Sequence, residues 1–187
     1  MLRTLLRISL ALVLTGCAST ATYPPTSGRA TVAGNTPPLP QVMASALRYA
    51  QQRGNPNASM VFNLPPDTLE SAWTDVGKRL GDGARPMTAA DKDAFTVRQV
   101  RVNGGQAEVD VVYPSPEGVY QILTVHLEGG VGADYRPMFV QRWLIPSTPQ
   151  PFNPPVTAMS SSLETPAVAP EPAADAAPAP AADTAKH

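Results

Sequence analysis

The chain predicts an α+β fold, with two helices packed on one face of a four-stranded antiparallel meander and disordered segments at both ends. Three observations support this. Apolar residues recur at helical spacing in two stretches before residue 81, they alternate with polar residues from 96 to 145, and both ends are rich in Pro, Ala and small polar residues.

The first helix is expected over Pro40–Arg53, where Met43, Leu47 and Ala50 repeat at helical spacing beside Ala46 and Gly54 supplies a stop. A second begins after Pro65-Pro66. Asp67 is placed to cap it, and Glu70, three residues on, to complete a capping box. Its stripe is Leu69, Trp73, Val76 and Leu80, ended by Gly81. Between the helices, Ser59–Asn63 reads as a short strand or an extended connector, and 82–94 as a loop.

Alternation then predicts strands near 96–103, 106–114, 119–128 and 135–145. A two-residue Gly104-Gly105 loop pairs Val102 with Ala107, Arg101 with Glu108 and Val100 with Val109, which puts the apolar residues on one face. Residues 114–118 make the next turn, with Leu123, Val125 and Leu127 inward and Thr124, His126 and Glu128 outward. The outward face then breaks its rule. Val112, Tyr120 and Ile122 are apolar there, and the implied register sets Val112 opposite Tyr120. The last strand is apolar on both sides, with Trp143 next to Arg142.

In element order this outline resembles cystatin-like and nuclear-transport-factor-like cone folds. That resemblance implies a cone-like curved sheet able to form a pocket or a dimer face, and it transfers no functional residue.

The ends divide the chain further. Residues 1–16 carry Arg3 and Arg7, an apolar run from Ile8 to Leu14, and small residues before Cys17, which is the layout of a secretory signal peptide. The run is too short to cross a bilayer as a helix. Leu14-Thr15-Gly16-Cys17 resembles the bacterial lipobox. The resemblance implies cleavage before Cys17, lipidation of that residue with fatty-acyl chains, and a mature lipoprotein anchored in a membrane. Ala18 stands where such proteins commonly carry aspartate for inner-membrane retention, so in an organism with two membranes the resemblance implies the periplasmic face of the outer one. Cys17 is the single cysteine, so the mature chain has no intramolecular disulfide.

Residues 17–38, punctuated by Pro24-Pro25, Gly28, Gly34 and Pro37-Pro38, are expected to be a flexible tether with a mean reach of roughly 25 Å. Residues 39–145 form the globular domain. From Pro146 to the C-terminus ten prolines and eleven alanines accompany only scattered large apolar residues such as Phe152, so 146–187 is expected to be a disordered tail.

Charge excludes some partners. Lys plus Arg total 14 and Asp plus Glu 15, with eleven of each inside residues 17–145, so there is no basic field for nucleic acid. The sequence has no phosphate loop, paired-cysteine metal site or nucleophile elbow, and no cofactor or metal is expected. His126, near Glu128 and Asp110, is the sole candidate for acid–base work, and the expectation is that it is a surface residue and the protein is not an enzyme. Trp73 is expected in the core. Val112, Tyr120, Ile122 and Trp143 form the candidate interaction surface, for an envelope protein or a second copy of the chain, because clustered exposed apolar residues mark interfaces. The structural alternative is that loop 82–95, or Phe152 and its neighbours, cover that patch. The functional alternative is a ligand cavity between helices and sheet, with Gln121 and Arg98 as its inward polar residues.

Overall fold

A computed structural model describes residues 20–157, apart from 28, 29, 55, 57, 58, 131 and 132. The expected signal peptide, Cys17 and the tail beyond Thr157 lie outside the described residues. The elements in chain order are β1 (Ala21–Tyr23), β2 (Ala30–Thr31), α1 (Leu39–Gly54), β3 (Met60–Asn63), α2 (Glu70–Leu80), β4 (Ala84–Pro86), β5 (Phe95–Asn103), β6 (Gln106–Pro114), β7 (Tyr120–Gly130) and β8 (Ala133–Ser147).

The expected class is found, but the sheet is wider than four strands. Its order is β2-β1-β5-β6-β7-β8, with β3 beside β5 and β4 beside β3, eight strands among the described residues. The meander is β5 to β8. β1 adds antiparallel to the second half of β5, and β3 adds parallel to its first half. Both additions join segments far apart in sequence, so neither leaves a local signal of pairing.

Helix α1 buries Leu39, Val42, Met43, Ala46, Leu47 and Ala50, the spacing that places one stripe against a sheet. It lies across β5 to β8, against Val97, Val100, Val109, Val111, Leu123 and Val125. Removing one such fully buried Leu side chain to Ala would cost about 2–5 kcal/mol. Gly54 does more than end the helix. A Cβ there would stand 2.9 Å from the Tyr113 ring, so the glycine lets α1 close onto β6.

Helix α2 differs from expectation in where it packs and how it is capped. It rests chiefly on α1 and β4 rather than on the meander, and Trp73 meets Phe62 of β3 with ring centroids 5.6 Å apart. The Asp67–Glu70 capping box is absent. Asp67 has φ 60°, Leu69 is the N-cap without a side-chain bond, and the backbone N–H of Glu70 donates to the carbonyl of Val156 at 3.0 Å. A free helix N–H needs an acceptor, and the chain's C-terminal segment provides it.

The Gly104-Gly105 loop has the expected register, with Arg101 opposite Glu108 and Val100 opposite Val109. Gly104 takes φ 58°, which glycine adopts at no steric cost. A bulge between Val97 and Gln99 makes Arg98 the extra residue of β5 and leaves it exposed. Arg98 therefore does not face inward as simple alternation predicts. The bulge keeps both Val97 and Val100 in the core. At the next turn the register is shifted by two, so Val112 opposes Ile122 and Pro114 opposes Tyr120. A shift of two preserves every facing.

Both supposedly disordered flanks contribute described structure. In the expected tether, Ala21–Tyr23 is sheet and Tyr23 is buried, with its hydroxyl 2.6 Å from that of Thr68. In the expected tail, residues 146 and 147 extend β8, and Val156 bridges to Leu69. Proline-rich chain offers carbonyl acceptors and few donors; here Asn63 and Glu70 donate to its carbonyls, while its own Asn153 and Val156 N–H groups donate back to the fold.

Candidate functional site

The sheet face away from α1 is organised as rows running across the strands. One row is Thr22, Arg101, Glu108, His126 and Phe139, each the register partner of the next. A parallel row further up is Asn63, Thr96, Val112, Ile122 and Trp143. Between them lie Asp110 and its register partners Gln99, in β5, and Thr124, in β7.

Alternation places these polar side chains together, and cross-strand hydrogen bonds then join them. Arg101 donates from Nε to Glu108 at 2.8 Å, and its two terminal nitrogens grip Asp110 at 2.7 and 2.9 Å. Thr124 donates to Asp110 at 2.6 Å, and the Trp143 indole N–H donates to Thr124 at 3.0 Å. Burial pushes the Asp110 carboxyl up, but bonds from Arg101 and Thr124 outweigh it and the net shift is downward. The same bond to Asp110, with help from Glu108, raises Arg101 further despite burial.

His126 stands at the lower edge of this network. Its Nδ1 is 3.5 Å from Glu108, its ring centroid is 5.1 Å from that of Phe139, and its Nε2 is buried without a hydrogen-bond partner among the described residues. A general base needs one nitrogen oriented by an acceptor and the other open to substrate. Here the orienting contact is long and the second nitrogen is covered. Asp110, expected as a neighbour of His126, is committed to Arg101 and Thr124 instead. Among the described residues no group of three or more His, Cys, Asp and Glu side chains is placed to hold a metal ion.

The expected interaction surface is only partly exposed. Val112 is 0% and Tyr120 9% accessible, and Ile122 is half-buried. Two segments reach this end of the face. The Tyr120 hydroxyl bonds to Asp93 and, at 3.3 Å, to the Lys92 carbonyl of the loop before β5. Burial and the Asp93 carboxylate together drive that phenol upward. The Asn63 amide donates to the Pro151 carbonyl at 2.8 Å and accepts from the Asn153 backbone at 3.3 Å. Asn153 returns a bond to the Leu64 carbonyl at 2.9 Å. Val112 and Tyr120 are therefore internal packing, and the segments first considered as covers, the loop and the neighbours of Phe152, are the ones held there.

Exposed apolar surface is found next to this, on edge strand β8. Met138, Phe139, Trp143, Leu144 and Ile145 all project into solvent, Leu144 at 92% and Ile145 at 70%. Of the expected patch only Trp143 belongs to this set. The apolar character of both sides of 135–145 was the sequence signal for it.

Two depressions flank the strand. On the outward face, about 400 Å³ is bounded by Thr20 on one side and Met138 on the other, over Arg101, Glu108, His126 and Glu128. On the inner face, a cleft of about 360 Å³ lies at the end of α1, lined by Tyr49, Arg53, Tyr113, Gln121 and Arg142. Gln121 faces inward as expected, accepting a bond from the Tyr113 hydroxyl at 2.9 Å. Trp73 is in the core, also as expected.

No family model, curated protein or solved structure matches this chain. Its function is read from its own chemistry. Among the described residues no helix is long and apolar enough to cross a membrane.

Proposed function

We propose that this chain is a lipid-anchored protein of the bacterial envelope whose folded domain is a non-enzymatic protein-interaction or structural module. The observation that carries this reading is the cluster of Trp143, Leu144 and Ile145 on an edge strand, exposed where one side of the β8 backbone has no neighbouring strand among the described residues. An open edge with apolar side chains is suited to adding a strand from another chain. The partner is an envelope protein or a second copy of this chain. Support for the anchor is Leu14-Thr15-Gly16-Cys17 after a basic and then apolar start, and Ala18 supports the periplasmic face of the outer membrane. The covered Nε2 of His126 and the commitment of Asp110 to Arg101 support a role without catalysis.

Changing Leu144 and Ile145 together to Lys tests this. Both side chains already stand in water, so the thermal midpoint should move little, as surface substitutions usually shift stability by under about 0.5 kcal/mol. Self-association in sedimentation, or crosslinking to a neighbour in the envelope, should be lost. A folded variant that keeps every association refutes the reading, and so does a parent protein that shows none.

A second reading, a small-ligand binder with a cone-like sheet, draws on the inner cleft. Arg53 and Arg142 bring two guanidinium groups beside the hydroxyls of Tyr49 and Tyr113, over the apolar Leu123 and Val140. With the Glu117 carboxylate also in the lining, the cleft suits a polar ligand with an apolar body.

A further inference from the structure

We infer that the domain lies directly on the lipid surface, with Met138 and Phe139 of β8 seated in the headgroup region of a zwitterionic bilayer. The inference rests on Cys17 being the lipidated residue.

Three residue steps separate Cys17 from Thr20, so the chain between them spans at most about 10 Å. From Ala21 to Tyr23 the chain is fixed in the sheet. Ala21 pairs with Val102, Thr22 with Arg101 and Tyr23 with Val100, and the Tyr23 ring is buried. The segment that composition suggests as a long spacer is thus a short leash.

The leash enters at the same end of the sheet as Met138 and Phe139 of β8, four strand spacings or roughly 19 Å across from them. Thr20 forms one wall of the outward depression and Met138 the other. Phe139 belongs to the same cross-sheet row as Thr22, two residues from Thr20. Met138 is 67% and Phe139 59% exposed, next to the register shift between His126 and Leu127. A flexible thioether and an aromatic ring are suited to the boundary between headgroups and acyl chains. The charges nearby are mixed: Arg136 faces Glu128 across the β7–β8 pair, and Asp134 accepts from Gln41 at 3.0 Å. Without an excess of cations the surface fits zwitterionic rather than anionic lipid.

The test uses the full acylated protein in phosphatidylcholine–phosphatidylethanolamine vesicles. Acylated Cys17 leaves no other thiol, so Met138→Cys takes a single NBD fluorophore, with Phe139→Cys as a second position and exposed Lys78→Cys on α2 as the reference. On reconstitution the labels at 138 and 139 should shift to the blue and be quenched by nitroxide lipids several-fold more than the label at 78. Equal, water-like emission at all three positions in vesicle-bound protein overturns the inference. A blue shift without lipid quenching also overturns it, because a second copy then covers the site. Protein without acyl mass that fails to float with vesicles overturns the anchor reading itself, an outcome distinct from the other two.

Discussion

Arg101 has more partners on the outward face than any side chain beside it, and it determines which neighbours remain available for chemistry. It engages Gln99, Glu108 and Asp110 together, and Asp110 passes the connection to Thr124 and Trp143. Hydrogen bonds to charged groups are worth roughly 1.5–3 kcal/mol when partly shielded from water, so Asp110→Asn should destabilise the domain at neutral pH by about that amount. The pH dependence has a definite sign. The folded carboxyl titrates below its ordinary value, so its contribution is complete above about pH 4 and is lost as pH falls through the folded pKa. Thermal midpoints measured from pH 7 downward should fall below about pH 4 in the parent protein and stay flatter in the Asn variant. Matching profiles would show that Asp110 is not the titrating group. The sequence makes half of this network legible, since alternation alone puts Arg101 opposite Glu108. The diagonal grip on Asp110 is not legible, and the bulge that turns Arg98 outward has no marker in the alternation.

Among the elements, the segment 148–157 departs furthest from what its composition suggests. Four prolines and only two large apolar residues, Phe152 and Val156, argue for disorder when the segment is considered alone. Its order depends on hydrogen bonds, given and accepted, with residues far away in the sequence. Asn63 and the first N–H of α2 bind carbonyls that prolines and their neighbours leave free. Deleting residues 148–187 should therefore lower the thermal midpoint by several degrees, on the order of 1–2 kcal/mol for a domain of this size. Asn63→Ala, which leaves the chain complete, should reproduce a substantial part of that loss in urea denaturation. Parent-like stability in both variants would mean that these bonds contribute nothing. α1, α2 and the hairpin at Gly104-Gly105 were legible, because each is specified by spacing within a single stretch. The strands β1 and β4 were not, since each exists through its partner, while β3 falls on the short strand or connector expected over Ser59–Asn63.

For the whole molecule, the division of surface and core depends on those long-range additions. The apolar break at Val112 and Tyr120 is visible in the sequence, yet only the packed chain distinguishes an interface from a seam closed by the protein's own loop and C-terminal segment. Burial of Val112 moves the exposed apolar surface to β8, and β1 moves the domain close to Cys17. Both the anchor and the placement of the domain on lipid depend on the state of that one cysteine. The direct measurement is the mass of the N-terminal peptide from full-length protein expressed in a bacterial envelope, compared with Cys17→Ser. A lipoprotein gives a peptide that begins at Cys17 and carries acyl chains, while the Ser variant stays an unacylated precursor. A parent peptide with an unmodified Cys17 thiol, or one processed alike in both proteins, contradicts the lipid anchor and the membrane-bound role built on it.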